Sequence, residues 1–182
     1  MIANLTRFAL ICLVALPLWV LLRRPWKRRL PREIALSLFA AYLTALLVMA
    51  LDGAWRSPAA MLQSALARIR SLDNINLVPF AVIREQLATF HQDSSRMLLW
   101  GNTLLFAPYG FFLPLLWRRF RSPLRIAGMC LLLTCSIEFI QLFIERMVDV
   151  DDLLLNFAGS MTGTGLWWIC HRLIPAAEVL SE

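Results

Sequence analysis

Residues 97–117, MLLWGNTLLFAPYGFFLPLLW, contain no charged side chain. An α-helix rises about 1.5 Å per residue, so this run is long enough to cross the roughly 30 Å hydrocarbon core of a bilayer. Outward from it, uncharged runs recur at 8–22, 34–51 and 153–170, and a fifth, 126–144, is interrupted only by Glu138. The first run is the shortest and draws on residues 4–7 or a snorkelling flank to complete its passage. The whole chain is 59% apolar and 16% charged, where soluble domains carry about 25% charged residues. That excludes a soluble globular domain. Five spans take up about half of the 182 residues, so the expected fold is an all-α polytopic membrane protein with five transmembrane helices in a single membrane domain, 1–182.

The net charge of +6 acquires meaning once the basic residues are sorted by side. Arg23, Arg24, Lys27, Arg28, Arg29 and Arg32 fall between the first two runs, Arg118, Arg119, Arg121 and Arg125 between the third and fourth, and Arg172 after the fifth. The other side has Arg7, Arg56, Arg68, Arg70, Arg84, Arg96 and Arg146, spread over a longer stretch. By the positive-inside rule the dense side is cytoplasmic. The N-terminus is then outside, the C-terminus inside, and segments 52–96 and 145–152 are extracytoplasmic. Trp19, Trp26, Trp55, Trp100, Trp117, Trp167 and Trp168 fall near predicted span ends, where indoles prefer to sit. Residues 1–16 resemble a cleavable signal, but the six basic residues downstream resist export and favour a retained helix. Cys12, Cys130, Cys135 and Cys170 lie inside the runs at no metal-like spacing and read as packing residues. The basic clusters abut span ends, so topology accounts for them without a nucleic-acid partner.

Within the long segment 52–96, Met61, Leu62, Ala65, Leu66, Ile69 and Leu72 recur at helical spacing, with Gln63, Ser64, Arg68 and Arg70 on the other side. This predicts a helix over 58–72 lying in the membrane interface. Pro79 disfavours helix at Val78 and lacks its own donor, so 74–80 breaks the helix before a second short one over 81–90.

Polar residues inside the spans need a partner or a role. Thr134, Glu138, Gln141 and Glu145 share one helical stripe, and Asp152, Asn156, Ser160 and Gly163 share another. Asn102 lies near the outer end of the third span, followed by Pro108 and Pro114, which should kink the helix or leave carbonyls without their usual donors. From the rise per residue, Glu138 lies roughly 10 Å below the outer end of its span, Asn102 roughly 8 Å and Asn156 roughly 5 Å. The loop above them, 145–152, packs Glu145, Arg146, Asp149, Asp151 and Asp152 into eight residues. Capping of the fifth span by Asp151 or Asp152 accounts for part of that run. Gly159 and Gly163 form a G-x-x-x-G pair suited to close helix packing. Carboxylates alone suit Mg²⁺ or Ca²⁺ and, with no His or Cys to narrow the choice, give only a weak metal signal; no cofactor motif is present, and no serine-nucleophile motif occurs.

Taken in series, Asn76-Leu-Val-Pro79-Phe80, Asn102-x-x-Leu105-Phe106-x-Pro108-x-Gly110-x-x-Leu113-Pro114, Ser136-Ile-Glu138-x-x-Gln141 and Arg146-x-x-Asp149-x-Asp151-Asp152-x-x-x-Asn156-x-x-Gly159-x-x-x-Gly163 resemble the VanZ-like family over residues 74–170. The resemblance implies a multi-pass protein of the bacterial cytoplasmic (inner) membrane, and a role in the cell envelope. The family takes its name from an accessory protein that raises resistance to teicoplanin. It implies no particular reaction.

The expected site is one polar pocket opening to the outer leaflet, lined by Asn76, Asn102, Glu138, Gln141, Arg146, Asp149, Asp152 and Asn156. Its expected ligand is the headgroup of a membrane lipid or lipid-linked envelope precursor. Arg146 would meet an anionic group and the amides would orient the ligand. Glu138 and Asp149 are the candidates for acid and base work should the site be catalytic. The alternative is a non-catalytic structural protein, whose polar residues serve helix packing and whose 58–72 helix docks a membrane-protein partner.

Overall fold

The protein is described here by a computed structural model covering residues 30–52 and 56–173. The first predicted span, the basic residues from Arg23 to Arg29, and Trp55 lie outside the described residues. The chain order is α1 (Leu30–Ala50), α2 (Pro58–Ser71), β1 (Ile75–Asn76), α3 (Ala81–Ala88), α4 (Asp93–Leu116), α5 (Pro123–Phe143), β2 (Val148–Asp149) and α6 (Val150–Leu173). Among the described residues, α1, α4 and α5 are long and apolar enough to cross a membrane. Helix α6, the expected fifth span, equals α4 in length at 24 residues but is not one of these three. Among the residues that dilute its hydropathy, Asn156, Gly159, Ser160, Gly163 and Thr164 are buried.

Those small residues set the closest contact in the fold. A Cβ built on Gly159 would lie 1.9 Å from the Thr103 carbonyl oxygen, one on Gly163 1.8 Å from that of Ala107, and one on Gly110 1.8 Å from that of Ser160. Only hydrogen fits at these three positions. Thr103 and Ala107 meet Gly159 and Gly163 in the same order, so α4 and α6 run parallel, and α5 carries the chain back between them. Pro114 has no N–H for the Gly110 carbonyl four residues earlier. The Thr164 hydroxyl lies 3.2 Å from that oxygen and supplies the missing donor.

Below the polar cluster an apolar core joins four helices: Leu36 and Phe39 of α1, Tyr109, Leu113 and Leu116 of α4, and Ile126 and Cys130 of α5, with Phe157 and Met161 of α6 packed against them. The Tyr42 hydroxyl donates to the Leu105 carbonyl at 2.7 Å and ties α1 to α4. Away from this core Leu38, Met49, Leu104, Leu124, Leu132, Phe139, Leu166 and Ile169 are exposed, an arrangement costly in water and suited to hydrocarbon.

Helix α2 begins with Pro58 in its first turn and Ser57 as N-cap, and ends at Leu72 in the left-handed region, φ 58°. Its facing differs from that of an ordinary amphipathic helix. Ala65 and Arg68 are buried, while Leu62, Leu66 and Ile69 are exposed.

Replacing Gly163 by leucine should drive α4 and α6 apart, at a cost of about 3 kcal/mol or more because the obstacle is backbone. Gly165, whose added Cβ meets nothing within 4 Å, should accept alanine with no loss and a gain of up to about 1 kcal/mol in helix propensity. Thermal melting of the two purified variants in detergent checks the contrast.

Candidate functional site

The site is assembled where α5 ends and α6 begins. Helix α5 stops in a six-residue return, with Glu145 left-handed at φ 60° and the Arg146 N–H donating to the Gln141 carbonyl at 3.1 Å, a pattern that satisfies the last turn of a helix. Arg68 of α2 completes the job. Its Nη1 donates to the Leu142 carbonyl at 2.8 Å, and its Nη2 to the carbonyls of Asn74 at 3.1 Å and Arg146 at 2.5 Å. Both terminal nitrogens of a buried guanidinium at the negative end of the α5 dipole are thus employed on backbone oxygens, while its Nε is buried without a partner. Sequence periodicity puts Arg68 on the outer, polar face of its helix. The structure turns it inward, because the unpaired carbonyls are there.

Two residues later the chain enters β2, which pairs in parallel with β1 in the register Ile75 with Val148 and Asn76 with Asp149. The Asn76 Nδ2 donates to Asp149 Oδ1 at 2.8 Å. The same oxygen accepts the Asp151 N–H at 2.8 Å, so Asp149 is the N-cap of α6. This corrects the expectation that Asp151 or Asp152 caps that helix.

Asp151 serves a different helix. Its Oδ1 accepts the N–H of Phe80 at 2.5 Å, and its Oδ2 accepts those of Val82 at 2.8 Å and Ile83 at 3.0 Å. These are N-terminal donors of α3, which has no side-chain cap of its own because Phe80 stands at the N-cap position. Phe80 is left-handed at φ 64°, a conformation costing an apolar residue roughly 1–2 kcal/mol. Three charge-assisted bonds to a carboxylate only 1% exposed offset that cost. The segment from β1 to α3 is therefore strapped across the start of α6 by Asp149 and Asp151.

Beneath the strap lies a cleft of about 190 Å³ lined by Met49, Ala50, Asn102, Leu105, Phe106, Ile137, Glu138, Gln141, Arg146, Asp152 and Asn156. Six of the eight residues expected at the site meet here. Asn102 of α4 donates from Nδ2 to Asp152 Oδ1 at 2.5 Å. Glu138 of α5, only 7% exposed, accepts the Asp149 N–H on Oε2 at 3.1 Å. Gln141 donates from Nε2 to the Ala50 carbonyl at the end of α1, 2.9 Å away. Arg146 is exposed at the mouth and donates to the Asp52 carbonyl at 3.0 Å. Two wall atoms stand apart, for the amide oxygens of Gln141 and Asn156 are buried and have no hydrogen-bond partner. The remaining two expected residues, Asn76 and Asp149, are not among the lining residues. They bond to each other behind Glu138.

The wall presents two carboxylates, three amides and one guanidinium, framed by apolar side chains from α1, α4 and α5. No group of three or more His, Cys, Asp or Glu side chains among the described residues is arranged to hold a metal ion.

A sequence model of the VanZ/LLP1 family matches residues 38–171. The chain belongs to the VanZ/LLP1 family. Comparison with curated proteins and with solved structures finds no match. Membership in VanZ/LLP1 and the apolar helices together fit a membrane protein of the VanZ type. The family match begins inside α1, well before the first motif legible at Asn76, and so takes in every cleft residue and also Arg68. Arg68 and Asp151 are the residues whose roles motif reading did not anticipate. The single buried signal for Arg68 was its spacing of three from the small Ala65.

Asp151→Ala should leave three backbone donors of the strap unpaired and lower stability by about 3 kcal/mol or more. Asp152→Asn, which keeps an acceptor for Asn102, should cost less than about 1 kcal/mol. Melting temperatures of the two variants, measured side by side, give the comparison.

Proposed function

We propose that the cleft binds the headgroup of an envelope lipid or lipid-linked precursor from the outer leaflet of the bacterial cytoplasmic membrane. The observation that carries this reading is the pair of buried, unpartnered amide oxygens, on Gln141 and Asn156, in a wall that also presents Glu138 and Asp152. Burying such groups unpaired costs about 1–3 kcal/mol each, and a ligand that supplies donors removes that cost. The proposal includes five spans with the N-terminus outside, the positive-inside orientation that faces the cleft outward, and an interfacial position for α2 and the strap. Exposed Leu62, Leu66, Ile69, Leu77, Val78 and Phe80 support that position, since side chains of this kind are stabilised at the headgroup boundary. Lipid capture at the outer leaflet gives a route by which a VanZ-type protein affects teicoplanin-type resistance, through the surface that such antibiotics meet. Asn76, Asp149 and Asp151 belong to a second, structural role, because their polar groups are spent on the protein itself.

Native mass spectrometry of the full-length protein in defined lipid mixtures tests the reading. Glu138→Gln and Asn156→Leu should each reduce lipid retention roughly tenfold, the equivalent of about 1.4 kcal/mol, with melting temperature unchanged or raised, as is common when a functional polar group is removed. Unchanged retention with a lowered melting temperature would instead assign both residues to helix packing.

A further inference from the structure

Resting on the lipid reading above, we infer that the cleft selects a phospholipid headgroup bearing a primary ammonium, seated with its nitrogen inside and its phosphate at Arg146. Part of the wall's hydrogen-bonding capacity is already used by the protein itself. One N–H of Asn102 Nδ2 is spent on Asp152 Oδ1, and one of Gln141 Nε2 on the Ala50 carbonyl. What remains on the wall is mainly acceptor capacity: the unpartnered amide oxygens of Gln141 and Asn156 and the second carboxylate oxygens of Glu138 and Asp152, with the Asn156 Nδ2 and one further N–H on each bonded amide as the neutral donors beside them. A primary ammonium brings three donors and no acceptor, which complements that set, and its positive charge faces two carboxylates.

A phosphate placed at the same depth would meet acceptors and like charge. Among the described lining residues the cation is Arg146, exposed at the mouth and held by the Asp52 carbonyl through one of its N–H groups. A guanidinium has five such donors in a planar fork suited to phosphate. The cleft is thus polar in a definite sense, acceptors within and a donor fork at the entrance. A zwitterionic headgroup with its amine distal to the phosphate has the matching order, and a polyol headgroup lacks the charge.

The test uses the full-length protein and three lipids with identical acyl chains: phosphatidylethanolamine, its N-acetylated derivative, and phosphatidylglycerol, compared by native mass spectrometry. Phosphatidylethanolamine should be retained roughly tenfold over either of the others. That preference should vanish in Asn156→Leu and persist in Asn156→Asp, which keeps an acceptor. Equal retention of all three lipids would overturn the ammonium inference while leaving the lipid-binding reading intact. Retention of every lipid no better than by the Asn156→Leu protein would overturn both. Protection of the wild-type protein against thermal unfolding by magnesium chloride alone, lost in Asn156→Leu, would replace the ammonium by a divalent cation held on the same oxygens.

Discussion

The polar end of this molecule depends on the Asp151 carboxylate. It sits at the start of one helix, yet satisfies the donors at the start of another, and in doing so fixes the path of the chain from β1 to α3. Without it, α3 would open on an apolar residue in a left-handed conformation with three of its N-terminal donors unpaired. Asp149 stands beside it and caps α6 while holding Asn76. Acidic residues that look like a ligand-binding cluster in one dimension are, in three, the fastening of a strap.

That fastening frees other groups to form a cleft. Glu138 is held in place by a backbone N–H from Asp149, and Asp152 by the Asn102 amide, so the wall is organised by the protein's own hydrogen bonds. The same parallel approach of α4 and α6 that demands glycine at positions 110, 159 and 163 brings Asn102 and Asn156 to the same end of the bundle. Helix packing and site assembly are therefore one problem, solved by small residues on one side and amides one or two turns away.

Much of this was legible in the sequence. Apolar run lengths located α1, α4 and α5, Pro79 marked the break before α3, and the Gly159–Gly163 spacing anticipated the tightest contact. Periodicity also placed Glu138 with Gln141 and Asp152 with Asn156 on common stripes, and six of the expected residues do share a cleft. What failed to show was partnership across the chain. Nothing local to Asp151 says that its acceptors belong to residues about 70 positions earlier, and an arginine on an amphipathic helix reads as solvated until the carbonyls that surround Arg68 are in view. The hydropathy of α6 misleads for a related reason, since several of the residues that lower it are hidden against α4 rather than offered to lipid.

In the proposed reading an acceptor-rich cleft faces the outer leaflet and holds a lipid headgroup. An electron cryo-microscopy structure of the protein in a nanodisc of phosphatidylethanolamine tests it most directly. Headgroup density is expected between Glu138, Asn156 and Arg146, with acyl chains entering the leaflet opposite the side that carries Arg118, Arg119 and Arg125. A cleft occupied by water alone, or a mouth opening to the same side as those arginines, would contradict it.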